Sequence, residues 1–145
     1  MAAKNMENRE SESANQELLR EKFMHFQQLQ QHIEQINEHI ETLNLQNVDI
    51  DTSKTAILEF STSAKNQEML APIANGIFVK AKVTESKKLL INVGADTVVE
   101  KTAEQIVQLL AEKQLETTKQ IGEAQELLQE FNEQAMKIYK EVEEL

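Results

Sequence analysis

The amino-acid sequence predicts an α+β fold: a long antiparallel α-helical coiled-coil hairpin with two small β-hairpins at its base. The prediction rests on the order of three hydrophobic periods. A heptad ladder comes first, a short alternating stretch follows, and a second heptad ladder runs on to Leu145. Apolar residues about 3.5 positions apart draw a narrow seam along a helix, and such a seam is stable only against a facing helix. Each ladder therefore supplies half of one interface.

Residues 1–15 are polar, with Met6 and a few alanines among Asn, Glu and Ser. Such a segment lacks the apolar area to offset its own ordering and is expected to be flexible. Regular helix is predicted from near Ser13, and the first coiled-coil helix occupies 16–62. Its seam is Leu19, Phe26, Leu29, Ile33, Ile36, Ile40 and Leu43, then Ile50 and Ile57 in the same phase beyond a polar Asn47. Asn47–Ser53 is rich in the weak helix formers Asn, Asp, Thr and Ser. The unbroken phase of Ile50 and Ile57 nevertheless predicts a continuous helix.

Two β-hairpins are predicted over 63–101. Ile77, Val79, Ala81 and Val83 alternate with Phe78, Lys80 and Lys82, the period-2 pattern of a strand with one buried face. Leu89, Ile91 and Val93 repeat it. Asn75-Gly76, Glu85-Ser86-Lys87 and Gly94-Ala95-Asp96 supply turns. Met69–Ile73 and Val98–Glu100 complete four strands, and Pro72 belongs at an edge or strand end.

The second coiled-coil helix occupies 102–145. Thr102 with Gln105 three residues on forms a capping box at its start. The seam then steps by four and three through Ala103, Val107, Leu110, Gln114, Thr117, Ile121, Ala124, Leu128, Phe131, Ala135, Ile138, Val142 and Leu145. A chain reversal separates the ladders, so the helices pack antiparallel.

Composition narrows the function classes. In 145 residues there are 4% aromatics, no Trp, three Gly and one Pro, which fits exposed helices better than a compact core. A formal charge of −10 argues against a phosphate-binding surface, and no nucleic-acid partner is expected. Apolar runs of a few residues fall far short of the roughly 20 that span a bilayer, so no membrane role is expected and the cytoplasm is the default location. The absence of Cys removes disulfides, thiolate chemistry and Cys-type zinc sites. No glycine-rich phosphate loop or nucleophile motif is present, so no catalytic residue, no cofactor and no enzymatic activity is expected.

His25, His32 and His39 recur seven residues apart along one flank of the first seam. That spacing puts neighbours roughly 10 Å apart on a helix, too far for two to share a zinc ion, and a solvated flank is expected. Lys80, Lys82, Lys87 and Lys88 form a small basic patch around the strands, fitting edge protection or an intersubunit charge partner.

Four short strands cannot bury two apolar faces within one chain, and free strand edges invite pairing. Oligomerisation through the hairpins is predicted, with Ile77, Phe78, Val79, Val83, Leu89, Leu90, Ile91 and Val93 at the subunit interface.

The run Leu70-Ala-Pro-Ile-Ala-Asn-Gly-Ile-Phe-Val-Lys-Ala-Lys-Val83, followed by Leu89-Leu-Ile-Asn-Val-Gly-Ala-Asp-Thr-Val-Val-Glu-Lys101, resembles the double-hairpin core of the prefoldin alpha subunit family. With the flanking helices the resemblance covers residues 16–145. The sequence departs from the family at Ala74 and Asp96, where Gly is frequent; Asp tolerates a left-handed backbone, so the second turn is expected to survive. The resemblance implies a hexameric, ATP-independent chaperone in which two alpha-type subunits join four prefoldin beta-type subunits through their hairpins. It further implies capture of unfolded client proteins at the coiled-coil tips and their transfer to a cytosolic group II chaperonin.

The residues suggest how capture could work. An antiparallel hairpin brings the start of the first helix to the end of the second, so Leu18, Leu19, Phe23, Met24 and Phe26 meet Phe131, Met136, Ile138, Tyr139, Val142 and Leu145. Met and aromatic side chains adapt to varied apolar partners. Leu19, Phe26, Phe131, Ile138, Val142 and Leu145 lie on the seams, where packing against one another competes with client contact as their role. Leu18, Phe23, Met24, Met136 and Tyr139 lie off them. The competing function is a coiled-coil scaffold or tether that binds a specific folded partner.

Overall fold

The structure, a computed structural model, describes residues 2–63 and 65–145. Two long helices, α1 (Ala2–Ser61) and α2 (Ala103–Glu143), flank β1 (Glu68–Ala74), β2 (Ile77–Lys82), β3 (Lys88–Asn92) and β4 (Val98–Thr102). The strands form two separate antiparallel pairs, β1 with β2 and β3 with β4. The chain divides into two compact units, Met1–Asn44 with Lys119–Leu145, and Leu45–Thr118.

Helix α1 starts at Ala2, earlier than the Ser13 that composition predicts. Ala2, Ala3, Lys4, Met6 and Glu7 are good helix formers, and extending an existing helix avoids the cost of nucleation. Every residue from Ala2 to Glu21 is exposed, so tertiary packing adds little to this extension. The helix runs unbroken through Asn47–Ser53 to Ser61.

In the first unit, Leu29, Ala135 and Ile138 form a buried cluster on which Phe26, Ile33, Phe131 and Val142 pack. All are seam residues, and the pairing of Leu29 with the far end of α2 makes the helices antiparallel. Burying a Leu in this way is worth about 2–3 kcal/mol by area. Leu43 and Ala124 are also buried.

In the second unit the seam turns polar. Asn47, Lys54, Gln114 and Thr117 are all buried or half-buried at positions where a heptad would place apolar side chains. Asn47 Nδ2 donates to Thr118 Oγ1 at 3.2 Å, Lys54 Nζ to Gln114 Oε1 at 3.2 Å, and Gln114 Nε2 to Asp51 Oδ1 at 2.7 Å. Ile50 and Ala103 are buried apolar rungs of this unit, and Ile106 is buried too, although the sequence places the neighbouring, half-buried Val107 on the seam.

The capping box is formed in both directions. Gln105 N–H donates to Thr102 Oγ1 at 3.2 Å, and Thr102 N–H donates to Gln105 Oε1 at 3.1 Å. Two amides left without partners at the start of α2 are thereby satisfied.

The hairpins explain their own turns. Gly76 takes φ +75° between Ala74 and Ile77, whose pairing follows a register shift after Pro72. In the β3–β4 turn Gly94, Ala95 and Asp96 all have positive φ, and Gly94 N–H donates to Asn92 Oδ1 at 2.9 Å. Asp96 at φ 56° adopts the left-handed backbone expected of it.

The β1–β2 pair corrects one expectation. Ile77 and Val79, placed by alternation on a buried face, are 55% and 46% exposed, because no described residue packs over this end of the two-stranded sheet. Of that alternating set only Ala81 and Val83 are shielded. On β3 the alternation does hold, with Leu89 and Ile91 half-buried and Leu90 74% exposed.

Candidate functional site

At the end of the first unit where the start of α1 meets the end of α2, the heptads are wide enough to leave a furrow beside the seam. Phe23 on α1 and Tyr139 on α2 lie off the seam, and between them opens a groove of about 550 Å³. Its walls also include Leu19, Phe26, Ile138 and Val142. The groove thus gathers six of the side chains that the sequence nominates for client contact. Phe23 and Tyr139 are more than half exposed, whereas Ile138 is buried in the seam cluster, and Phe26 and Val142 pack on that cluster. The floor is structural and the rim is free.

The other nominated residues separate from this groove. Met136, 58% exposed, lines a wider furrow of about 870 Å³ with Phe26, Ile33, Ala135 and Tyr139. Phe131 packs against the Leu29 cluster and meets the His32 ring at a centroid distance of 5.8 Å. Leu18, Met24 and Leu145 are exposed and line neither furrow.

One polar contact closes the groove's edge. The first ladder skips from Leu19 to Phe26, and the intervening seam position is Lys22, whose ammonium pairs with the Glu141 carboxylate across the helices. The hydrogen bond from Lys22, aided by the charges of Lys22 and Lys137, holds the Glu141 carboxyl below its ordinary pKa, against a smaller opposing effect of burial. Sequence reading passed over Lys22 because it sought apolar rungs; its signal was the regular 19-22-26 step itself.

The strand residues nominated for an interface are mostly available. Phe78, Leu90, Ile77, Val93 and Val79 are all 46% exposed or more. Leu89 and Ile91 are half-buried, and Val83 is enclosed at 5%, packed within its own unit, with its N–H donating to Gln67 O and its carbonyl accepting from Asn66. A residue enclosed by its own chain cannot face a neighbour, so Val83 leaves the interface set.

The histidine flank is solvated, as the spacing suggests: His25, His32 and His39 are all exposed. His32 and His39 edge a shallow furrow with Ile36, Ala124 and Leu127. Among the described residues no group of His, Asp or Glu is placed to hold a metal, and no helix is long and apolar enough to cross a membrane.

Comparison with known proteins places this geometry among relatives. A family model described as "Prefoldin subunit" matches residues 29–145. A prefoldin subunit alpha of Methanothrix thermoacetophila is 38% identical over 61 residues, covering 42% of this chain and 40% of that protein. Another, from Methanoregula boonei, is 29% identical over 87 residues, covering 60% and 57%. The chain spans about half the length of the curated relatives it matches. Among solved structures, a chain of the cryo-EM structure of filamentous PFD from Methanocaldococcus jannaschii superposes with a TM-score of 0.73 at 16% identity, covering 79% of this chain and 95% of that one. At that identity the likeness is one of fold. The family match begins at Leu29, so the α1 wall of the groove lies before it.

Proposed function

We propose a function that proceeds from one premise: this chain belongs to the prefoldin family, and within it to the alpha type. It acts as an ATP-independent chaperone subunit of the cytoplasm. Two copies join four beta-type subunits through their hairpins, unfolded polypeptide is held where α1 begins and α2 ends, and the client passes to a group II chaperonin.

The observation that carries this reading is the groove, an apolar furrow built from both helices with exposed aromatic rims at Phe23 and Tyr139. Filling it with one Leu or Phe side chain would contribute about 1.5–3 kcal/mol, which is weak binding. Weak binding suits a client that must be released. Several such ends acting on one chain raise the avidity without any tighter single contact. The exposed strand residues support assembly, since Phe78 and Leu90 present apolar surface that a second subunit can cover.

The test removes Met1–Arg20 and Lys137–Leu145 from the assembled particle and follows light scattering of a denatured client on dilution. The expected result is an unchanged native mass and lost protection. Unchanged protection would overturn capture at this end. Tight binding of one folded partner, with no suppression of aggregation for unrelated clients, would favour a tether instead.

A further inference from the structure

Resting on the capture reading, we infer that this groove prefers apolar client segments that carry an acidic residue two positions from the side chain it holds. The charged side chains that line the groove are Arg20 and Lys22, both cationic. The whole sequence has 25 acidic and 15 basic residues, so a lining with cations alone runs against the composition. Neither Glu17 nor Glu21 lines it, although both neighbour Arg20 in sequence.

The two cations are not equivalent. Lys22 is committed to Glu141, and that pair is locally neutral. The Arg20 guanidinium makes no ion pair or side-chain hydrogen bond among the described residues, and the residue is exposed at the rim beside Leu19 and three positions before Phe23. On a helix, residues three apart are neighbours, so Arg20 and Phe23 share one helix face, and both line the groove. A planar guanidinium presents paired N–H donors that match a carboxylate.

Spacing follows from strand geometry. An extended client advances about 3.3 Å per residue and returns to the same side every second residue. A carboxylate two positions from the buried side chain therefore lies roughly 7 Å along the groove, within reach of an arginine at its rim. The preferred occupant alternates an apolar residue with Asp or Glu on one side.

The experiment uses the full chain in its assembly and three labelled peptides, differing only in Glu, Gln or Lys two positions from a single Phe. Fluorescence anisotropy is expected to rank them Glu, Gln, Lys, each step about threefold, the size of one exposed ion pair. The ranking should collapse in about 0.5 M salt. Arg20→Glu should invert it, and Arg20→Gln should flatten it; circular dichroism checks that both variants keep their helix. Equal binding of all three peptides to the unchanged protein, or an unaltered ranking in Arg20→Glu, overturns the preference while leaving capture standing. Absence of binding by every peptide overturns capture and the preference together.

Discussion

Lys22 occupies the rung missing from the first apolar ladder, and its ammonium is paired with Glu141 on the facing helix. Within the first unit this charged rung sits among the hydrocarbon rungs Leu19, Phe26, Ile138 and Val142. Both side chains remain partly exposed, at 22% and 40%, so the pair is open to solvent and sensitive to its conditions.

Acid should weaken this closure. The Glu141 pKa is lowered in the folded state from its ordinary 4.5, so its contribution to stability is complete above about that pH and is lost as pH falls through the depressed folded value. Thermal melts of the natural chain and Glu141→Gln should differ by a constant amount at neutral pH and converge below pH 4.5. A difference that persisted unchanged in acid would contradict the pairing.

Removing the cap should loosen the start of α2. Thr102→Ala deletes the acceptor for Gln105 N–H and should cost about 1 kcal/mol in denaturant melts. Gln105→Ala removes the reciprocal acceptor. Because each side chain holds the other's amide, the double variant should lose less than the two single losses added together.

Asn47 is expected to be a stability cost. Its Oδ1 is buried without a hydrogen-bond partner, while its Nδ2 bonds only the exposed Thr118 hydroxyl. Asn47→Leu should raise the unfolding free energy by about 1–2 kcal/mol, combining relief of the orphaned acceptor with apolar burial. A lower melting temperature would indicate that the polar rung does more for the pairing register than it costs.

Assembly should depend on side chains that the chain leaves uncovered. Val79→Asp and Leu90→Asp alter residues 46% and 74% exposed, so the fold of the single chain should survive. Native mass spectrometry should then show loss of the oligomer with helical content retained. An unchanged mass would exclude the strand interface.

The ladders were legible because a heptad constrains many residues at once. From Leu29 to Leu43 and from Ala103 to Val142 every seam position is buried or half-buried, as the phase requires. Thr102 and Gln105 were legible for another reason, since a capping box is a local contact needing no tertiary information. Asp96 declared its left-handed backbone by residue type, but Ala95, at φ 49°, did not, because nothing in alanine favours that region. The His32 contact with Phe131 depends on which flank the facing helix presents, which one helix's spacing does not contain. The exposure of Ile77 and Val79 was not legible, because alternation marks an apolar face without saying what packs on it.

Leu70, Ile73, Phe78 and Leu90 are each more than half exposed, on strands whose outer edges pair with no other strand among the described residues. A newly made copy that has folded but found no neighbours therefore displays the apolar, unpaired surface that chaperones bind. On the proposed assembly, its synthesis would have to keep step with that of the subunits that cover it.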